Sequence, residues 1–89
     1  MIITGVGFME LKDTIGNNIV KRRRQQHMTQ QSLASKSGIS VSYLRSIEHG
    51  TANATVDVLD QISASLNIEP SSLLQTNPNY KTDPDNSNK

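Results

Sequence analysis

The sequence predicts an all-α fold, a compact domain of five short helices running from residue 11 to residue 75. Three observations carry that expectation. Apolar residues return every three or four positions, which places them on one face of a helix. Ser, Thr and Gly stand at the segment boundaries, where helix caps need them. The connections between periodic segments are short, about two to five residues, as suits helices packed side by side. The 89 residues suffice for one domain and are too few for two. With 34% hydrophobic residues and no Trp, the core is small and built from Ile, Leu, Val and Ala. The chain has no cysteine, which excludes disulfides, thiolate catalysis and cysteine-ligated zinc, and fits a reducing cytoplasm. No apolar stretch approaches the ~20 residues of a membrane span.

The elements follow in order. Residues 1–10 form an arm or extension, in which ITGVGF reads as a short strand or a flexible segment. Met9 is an alternative start, and the segment lacks the basic beginning and cleavage site of a signal peptide. Ile15, Ile19 and Val20 define the inner face of a first helix, about Leu11 to Gln26. Its last turn carries Lys21 to Arg24, which complement the negative end of the helix dipole. Thr29 caps a second helix, Gln30 to Ser37, with Leu33 and Ala34 inward. Gly38 then supplies a turn through positive φ. Ser40 caps a third helix from Val41 to about His49, with Tyr43, Leu44 and Ile47 on its inner side and Gly50 at its end. Asn53 or Thr55 caps a fourth helix, whose apolar face is Val56, Leu59, Ile62 and Leu66 and which Asn67 closes. Pro70 opens a last short helix bearing Leu73 and Leu74. Residues 76–89, TNPNYKTDPDNSNK, have no face to bury and read as a disordered polar tail.

The segment from Gln30 to Glu48 holds the functional signal. Two short helices joined by a tight turn pack at a steep angle only if a small residue faces the partner helix and the turn tolerates a left-handed conformation. Ala34 and Gly38 meet those conditions, four residues apart. Leu33, Ile39, Leu44 and Ile47 fall where the pair must be pinned to the domain. Charge agrees with a polyanionic partner. Residues 12–51 carry seven cations against two carboxylates, +5, while residues 52–89 carry two against five, −3.

The run M-T-Q-Q-S-L-A-S-K-S-G-I-S-V-S-Y-L-R-S-I-E-H-G resembles the Cro/C1-type (XRE-like) helix-turn-helix family, the phage-repressor fold. The likeness spans Ile15 to Leu74, and the pattern Leu59 to Leu74 is similar to the family's fourth and fifth helices. It implies double-stranded DNA as partner, with the helix beginning at Val41 in the major groove. On that helix Val41, Ser42, Arg45 and Ser46 face the base edges. Arg45 is the strongest reader, because a guanidinium pairs bidentately with guanine O6 and N7. The resemblance further implies that Gln30 bridges a phosphate and the recognition helix, and that Arg23 pairs with Glu48 to brace that helix. Phosphate contacts are also expected from Tyr43 through its hydroxyl, from His49, Thr51 and Asn53 in the following loop, and from Arg22 and Arg24. Two positions depart from the family pattern. His27 stands where a Gly is usual before apolar-Thr-Gln, and Arg22 where Leu usually precedes the Arg.

Plainer readings stand beside these. The KRRR run also suits a solvated helix end. His27 and His49 are 22 residues apart with no further ligand, so no metal site is expected. Asp57 and Asp60 lie away from the basic half, and no Ser accompanies a His and Asp in a triad-like pattern, so neither an enzyme nor a cofactor is expected. The function expected is a sequence-specific transcriptional regulator, a repressor binding a palindromic operator as a homodimer, its half-sites about one helical turn apart, roughly 34 Å. Ile68, Leu73 and Leu74 serve either as the dimer interface or as the end of the core. The alternative is the antitoxin of a toxin–antitoxin pair, holding a toxin through residues 1–9 or 76–89. An interaction module without DNA is the third reading, and the +5 patch speaks against it.

Overall fold

A computed structural model describes residues 10–76. The arm before residue 10 and the tail beyond residue 76 lie outside the described residues. Four α-helices follow one another: α1 (Leu11–Gln25), α2 (Gln30–Ser37), α3 (Val41–Glu48) and α4 (Val56–Leu66). A 3₁₀ helix, Pro70–Leu74, takes the place of the expected fifth α-helix. Five residues opened by a proline close only i→i+3 bonds, so the tighter helix forms. α1 packs on α3 and on the 3₁₀ helix, and α2 packs on α3 and α4.

Three of the starts are capped as the sequence predicts. Thr29 Oγ1 accepts from the Ser32 N–H at 3.0 Å, Ser40 Oγ from Tyr43 N–H at 3.0 Å, and Thr55 Oγ1 from Val58 N–H at 3.1 Å. The fourth cap is therefore Thr55 and not Asn53. Each cap satisfies one N–H that the helix itself leaves without a partner, worth about 1 kcal/mol.

The four helix ends share one device. A residue with positive φ follows the helix: His27 (58°), Gly38 (73°), Gly50 (78°) and Asn67 (59°). The next N–H then reaches back five residues, Met28 to Arg23 O, Ile39 to Ala34 O, Thr51 to Ser46 O and Ile68 to Ser63 O, each at 3.0 Å. This closure caps otherwise unpaired carbonyls and turns an apolar side chain inward after it. Met28, Ile39 and Ile68 accordingly pack against the core. His27 adopts the left-handed conformation that a Gly takes without strain.

The core is Ile15, Ile19, Leu33, Ala34, Leu44, Ile47, Ile62, Leu66 and Leu73. Every described helix contributes, so the third helix is fixed by residues distributed over the whole domain. One expectation needs correction, and one open alternative is decided. Val56 is 81% exposed, because the first helical residue of α4 lies ahead of the face that Leu59, Ile62 and Leu66 bury. Leu73 is fully buried and belongs to the core, not to an interface, whereas its neighbour Leu74 is 46% exposed. The 3₁₀ segment is held by Asn18, whose amide donates to Leu73 O at 2.8 Å and Gln75 O at 2.9 Å. Among the described residues no helix is long and apolar enough to cross a membrane.

Candidate nucleic-acid interface

The two helices of the motif, α2 and α3, meet across the Gly38 turn with Ala34 buried between them. Leu33, Leu44 and Ile47 are inaccessible or nearly so, which nails the inner sides of both helices to the domain. The opposite side of α3 is in solvent. Ser42 and Arg45 are exposed there, three residues apart and so on one face, and Ser46 is half-buried beside them.

Val41, the first residue of α3, is half-buried and packs in part against the core, so its side chain is less open to solvent than those of Ser42 and Arg45.

Behind the outer face lies a buried ion pair. Arg23 Nε and Nη2 donate to the two carboxylate oxygens of Glu48 at 2.7 and 3.0 Å, and Nη1 donates to Met28 O at 3.0 Å. The side chains are 11% and 4% exposed. This two-pronged contact ties the last turn of α1 to the last residue of α3. The pairing expected of Arg23 and Glu48 is present. Gln30, at the start of α2, continues the chain: its amide donates to Glu48 Oε1 at 2.8 Å and accepts from Arg45 Nε at 3.1 Å.

The hydroxyl groups are partly committed. Ser46 Oγ donates to Ser42 O and Thr51 Oγ1 donates to Ser46 O, at 3.1 and 3.2 Å. Tyr43 OH donates to Asn53 O at 3.0 Å, so its proton points into the α3–α4 loop and the expectation of a hydroxyl aimed at phosphate is corrected. A hydroxyl has one proton, and each of these three is spent inside the protein. His49, Thr51 and Asn53 are exposed along that loop, Arg24 is exposed at the end of α1, and Arg22 is half-buried beside it. Asp57 and Asp60 are exposed on α4. His27 and His49 are both exposed, and among the described residues no three His, Asp or Glu side chains cluster as metal ligands would.

One positioning residue lacks any expectation from the sequence. A Cβ on Gly16 of α1 would fall 2.5 Å from Glu48 O and 2.6 Å from Ile47 O, so only glycine lets α1 lie this close to the end of α3. The signal was a glycine inside a helix with no turn to explain it. Gly50 has a similar neighbour, the Asp13 carboxylate, which occupies the space a Cβ would need.

Residues 19–73 match the model of the HTH_3 helix-turn-helix family. The chain belongs to this family. Members that it resembles include an HTH-type transcriptional regulator of Sinorhizobium fredii, 33% identical over 60 residues, 67% of this chain and 78% of the relative. The immunity repressor of Bacillus phage phi105 is 33% identical over 61 residues, 68% of this chain but 42% of the repressor. Among solved structures, the restriction-modification controller protein C.AhdI of Aeromonas hydrophila superposes with a TM-score of 0.68 at 27% identity, covering 70% of this chain and 94% of that one. This HTH_3 chain is a DNA-binding transcriptional regulator, and its all-helical architecture is that of its structural neighbours.

Proposed function

We propose that this regulator is a non-catalytic cytoplasmic repressor that binds a palindromic operator as a homodimer, with α3 in the major groove. The observation that carries the reading is the division of α3. Leu44, Ile47 and Glu48 are locked inside the domain, while Ser42 and Arg45 stand in solvent on the other side. Arg45 reads guanine through its guanidinium, and Ser42 and Ser46 sit at neighbouring base edges. With its proton on Ser42 O, Ser46 offers lone pairs, which suit a base amino group. Thr51, whose hydroxyl proton is on Ser46 O, leaves the expected set as Tyr43 does. Gln30, His49, Asn53 and Arg24 fix register on the phosphates. Asn53 does so by its side chain, since its carbonyl holds Tyr43.

Leu74 and the half-buried Ile68 supply the apolar contact of the two-fold seam, and Leu73 does not take part. The immunity repressor among its relatives supports the repressing role. An antitoxin would use α3 in the same way and hold a toxin through segments that lie outside the described residues.

Selection of bound duplexes from random DNA tests the proposal. The expected result is a two-fold symmetric site with half-sites roughly 34 Å apart. With ~4–6 phosphate contacts per protomer, the log–log slope of affinity against salt is of order −7 to −11. An unsymmetric pool, or a nearly flat slope, contradicts it.

A further inference from the structure

We infer that Arg22 is an interface residue, which in the homodimer pairs with the partner's Glu69 across the two-fold seam. The pair rests on the proposed homodimer and supersedes the phosphate contact expected of Arg22 from the sequence. Three side chains of α1 place it. Asn18, Arg22 and Gln26 stand four residues apart, so they form one row along the helix with steps of about 6 Å. Both ends of the row are tied to the C-terminal part of the domain. Asn18 Nδ2 donates to Leu73 O at 2.8 Å and Gln75 O at 2.9 Å, and Gln26 Nε2 donates to Leu66 O at 2.6 Å. The chain between Leu66 and Leu73 therefore passes the middle of the row, where Arg22 stands. Arg23, the next residue, is turned by about 100° and reaches Glu48 at the end of α3. One residue of the basic run thus serves α3, and its neighbour faces the connection from α4 to the 3₁₀ helix.

The stretch that passes Arg22 holds one carboxylate. Glu69 immediately precedes the 3₁₀ helix, is exposed, and makes no cap bond. Arg22 is half-buried. Among the described residues the only ion pair is Arg23–Glu48, so Arg22 and Glu69 lie on one patch without meeting. The same patch carries Ile68, next to Glu69 in the chain, and Leu74, next to the Leu73 carbonyl that Asn18 holds. These are the apolar residues of the seam. Two such side chains fall far short of the about 800 Å² that each partner buries in a stable interface. Polar groups beside them must add contacts, and the charged groups that the row and the passing stretch supply are one cation and one carboxylate.

A two-fold axis through the patch sets unlike residues against each other twice. Arg22 of one protomer meets the partner's Glu69, and Glu69 meets the partner's Arg22. A second copy thus suits both groups at once, a carboxylate for the arginine and a guanidinium for the glutamate. A nucleic-acid backbone would attract Arg22 and be repelled by Glu69.

The test follows self-association of the full chain by sedimentation for Arg22→Glu, for Glu69→Arg, for both together, and for an equimolar mixture of the two single variants. Circular dichroism checks folding, and Arg22→Gln and Glu69→Gln repeat the measurement with neutral side chains. Each single reversal opposes like charges in two places per dimer and is expected to weaken association at least about a hundredfold. The neutral variants are expected to weaken it about tenfold, two pairs being lost per dimer. The mixture is expected to regain association as a heterodimer, because each variant supplies the charge that the other needs at both places. The double reversal regains it as well. Rescue in the double reversal but not in the mixture would show that the pair closes within one chain, and overturns the assignment. Unchanged association, with the salt slope of operator binding lowered by about one per protomer in Arg22→Gln, would show a phosphate contact and overturn it too. A parent chain that stays monomeric, both alone and on the duplex selected from random DNA, contradicts the homodimer and the pair together. A parent dimer indifferent to every reversal overturns the pair alone.

Discussion

Gly16→Ala is the perturbation whose sign the structure reverses. In an ordinary helix interior, replacing Gly by Ala stabilises by about 1 kcal/mol, because Ala has less backbone entropy to lose. At Gly16 the new Cβ would fall 2.5 Å from Glu48 O and 2.6 Å from Ile47 O, where ordinary contact begins at 3.4 Å. The shortfalls are 0.9 and 0.8 Å. Both oxygens belong to the backbone at the end of α3, so no side chain can swing away, and α1 and α3 must separate. Overpacking of this kind costs about 1–3 kcal/mol, towards the upper end when backbone opposes backbone. The net expectation is a destabilisation of about 1–2 kcal/mol. With a urea m-value of about 1 kcal/mol/M for so small a domain, the midpoint falls by about 1–2 M. Urea titration followed by circular dichroism reads this directly. A midpoint equal to or above that of the parent chain would refute the argument that α1 is seated on α3 by the absence of a side chain.

Further outcomes follow from the same structure. Glu48→Ala leaves Arg23 Nε and Nη2 without acceptors in a buried site, so thermal unfolding should report a loss of about 3–5 kcal/mol, whereas the double replacement Arg23→Met with Glu48→Met stays near the parent or above it. His27→Gly relieves a left-handed conformation and should raise stability by about 1 kcal/mol, or about 4–8 °C in melting temperature. Leu73→Ala should cost about 2–5 kcal/mol as a core truncation. Leu74→Ala should leave folding within about 0.5 kcal/mol of the parent and weaken self-association in sedimentation experiments.

Much of this architecture is legible in the sequence because it is local. Thr29, Ser40 and Thr55 cap the helices that follow them, and Gly38 and Asn67 close the helices before them, through contacts only a few residues long. The inward faces of Leu33, Leu44 and Ile47 follow from helical spacing alone. The Arg23–Glu48 pair spans 25 residues and became legible only through the family resemblance.

What escaped depends on how distant segments meet. The contact that turns the Tyr43 hydroxyl away from phosphate is not local: Asn53, ten residues on, presents its carbonyl to it. Val41 stands on the outer side by helical spacing, yet it is half-buried and packs in part on the core. Leu73 and Leu74 are chemically identical neighbours, and only the docking of the 3₁₀ helix through Asn18 decides which of them is covered. Gly16 takes its meaning from two carbonyls more than thirty residues away.

The departures from the family pattern have physical answers too. His27 follows the same left-handed closure that glycine would, with Met28 N–H bonded to Arg23 O. Arg22 is half-buried where a leucine is usual, and the core beside it is completed by Ile15 and Ile19 from the same helix.

The central claim is that the outer face of α3 reads base edges through Arg45. The most direct measurement compares the parent chain with Arg45→Ala on the selected operator at fixed salt. Arg45→Ala is expected to form a complex at least about tenfold weaker and to lose the preference for one guanine per half-site, with an unchanged circular dichroism spectrum. Equal affinity of the two proteins for that duplex, with the guanine preference intact, would contradict it.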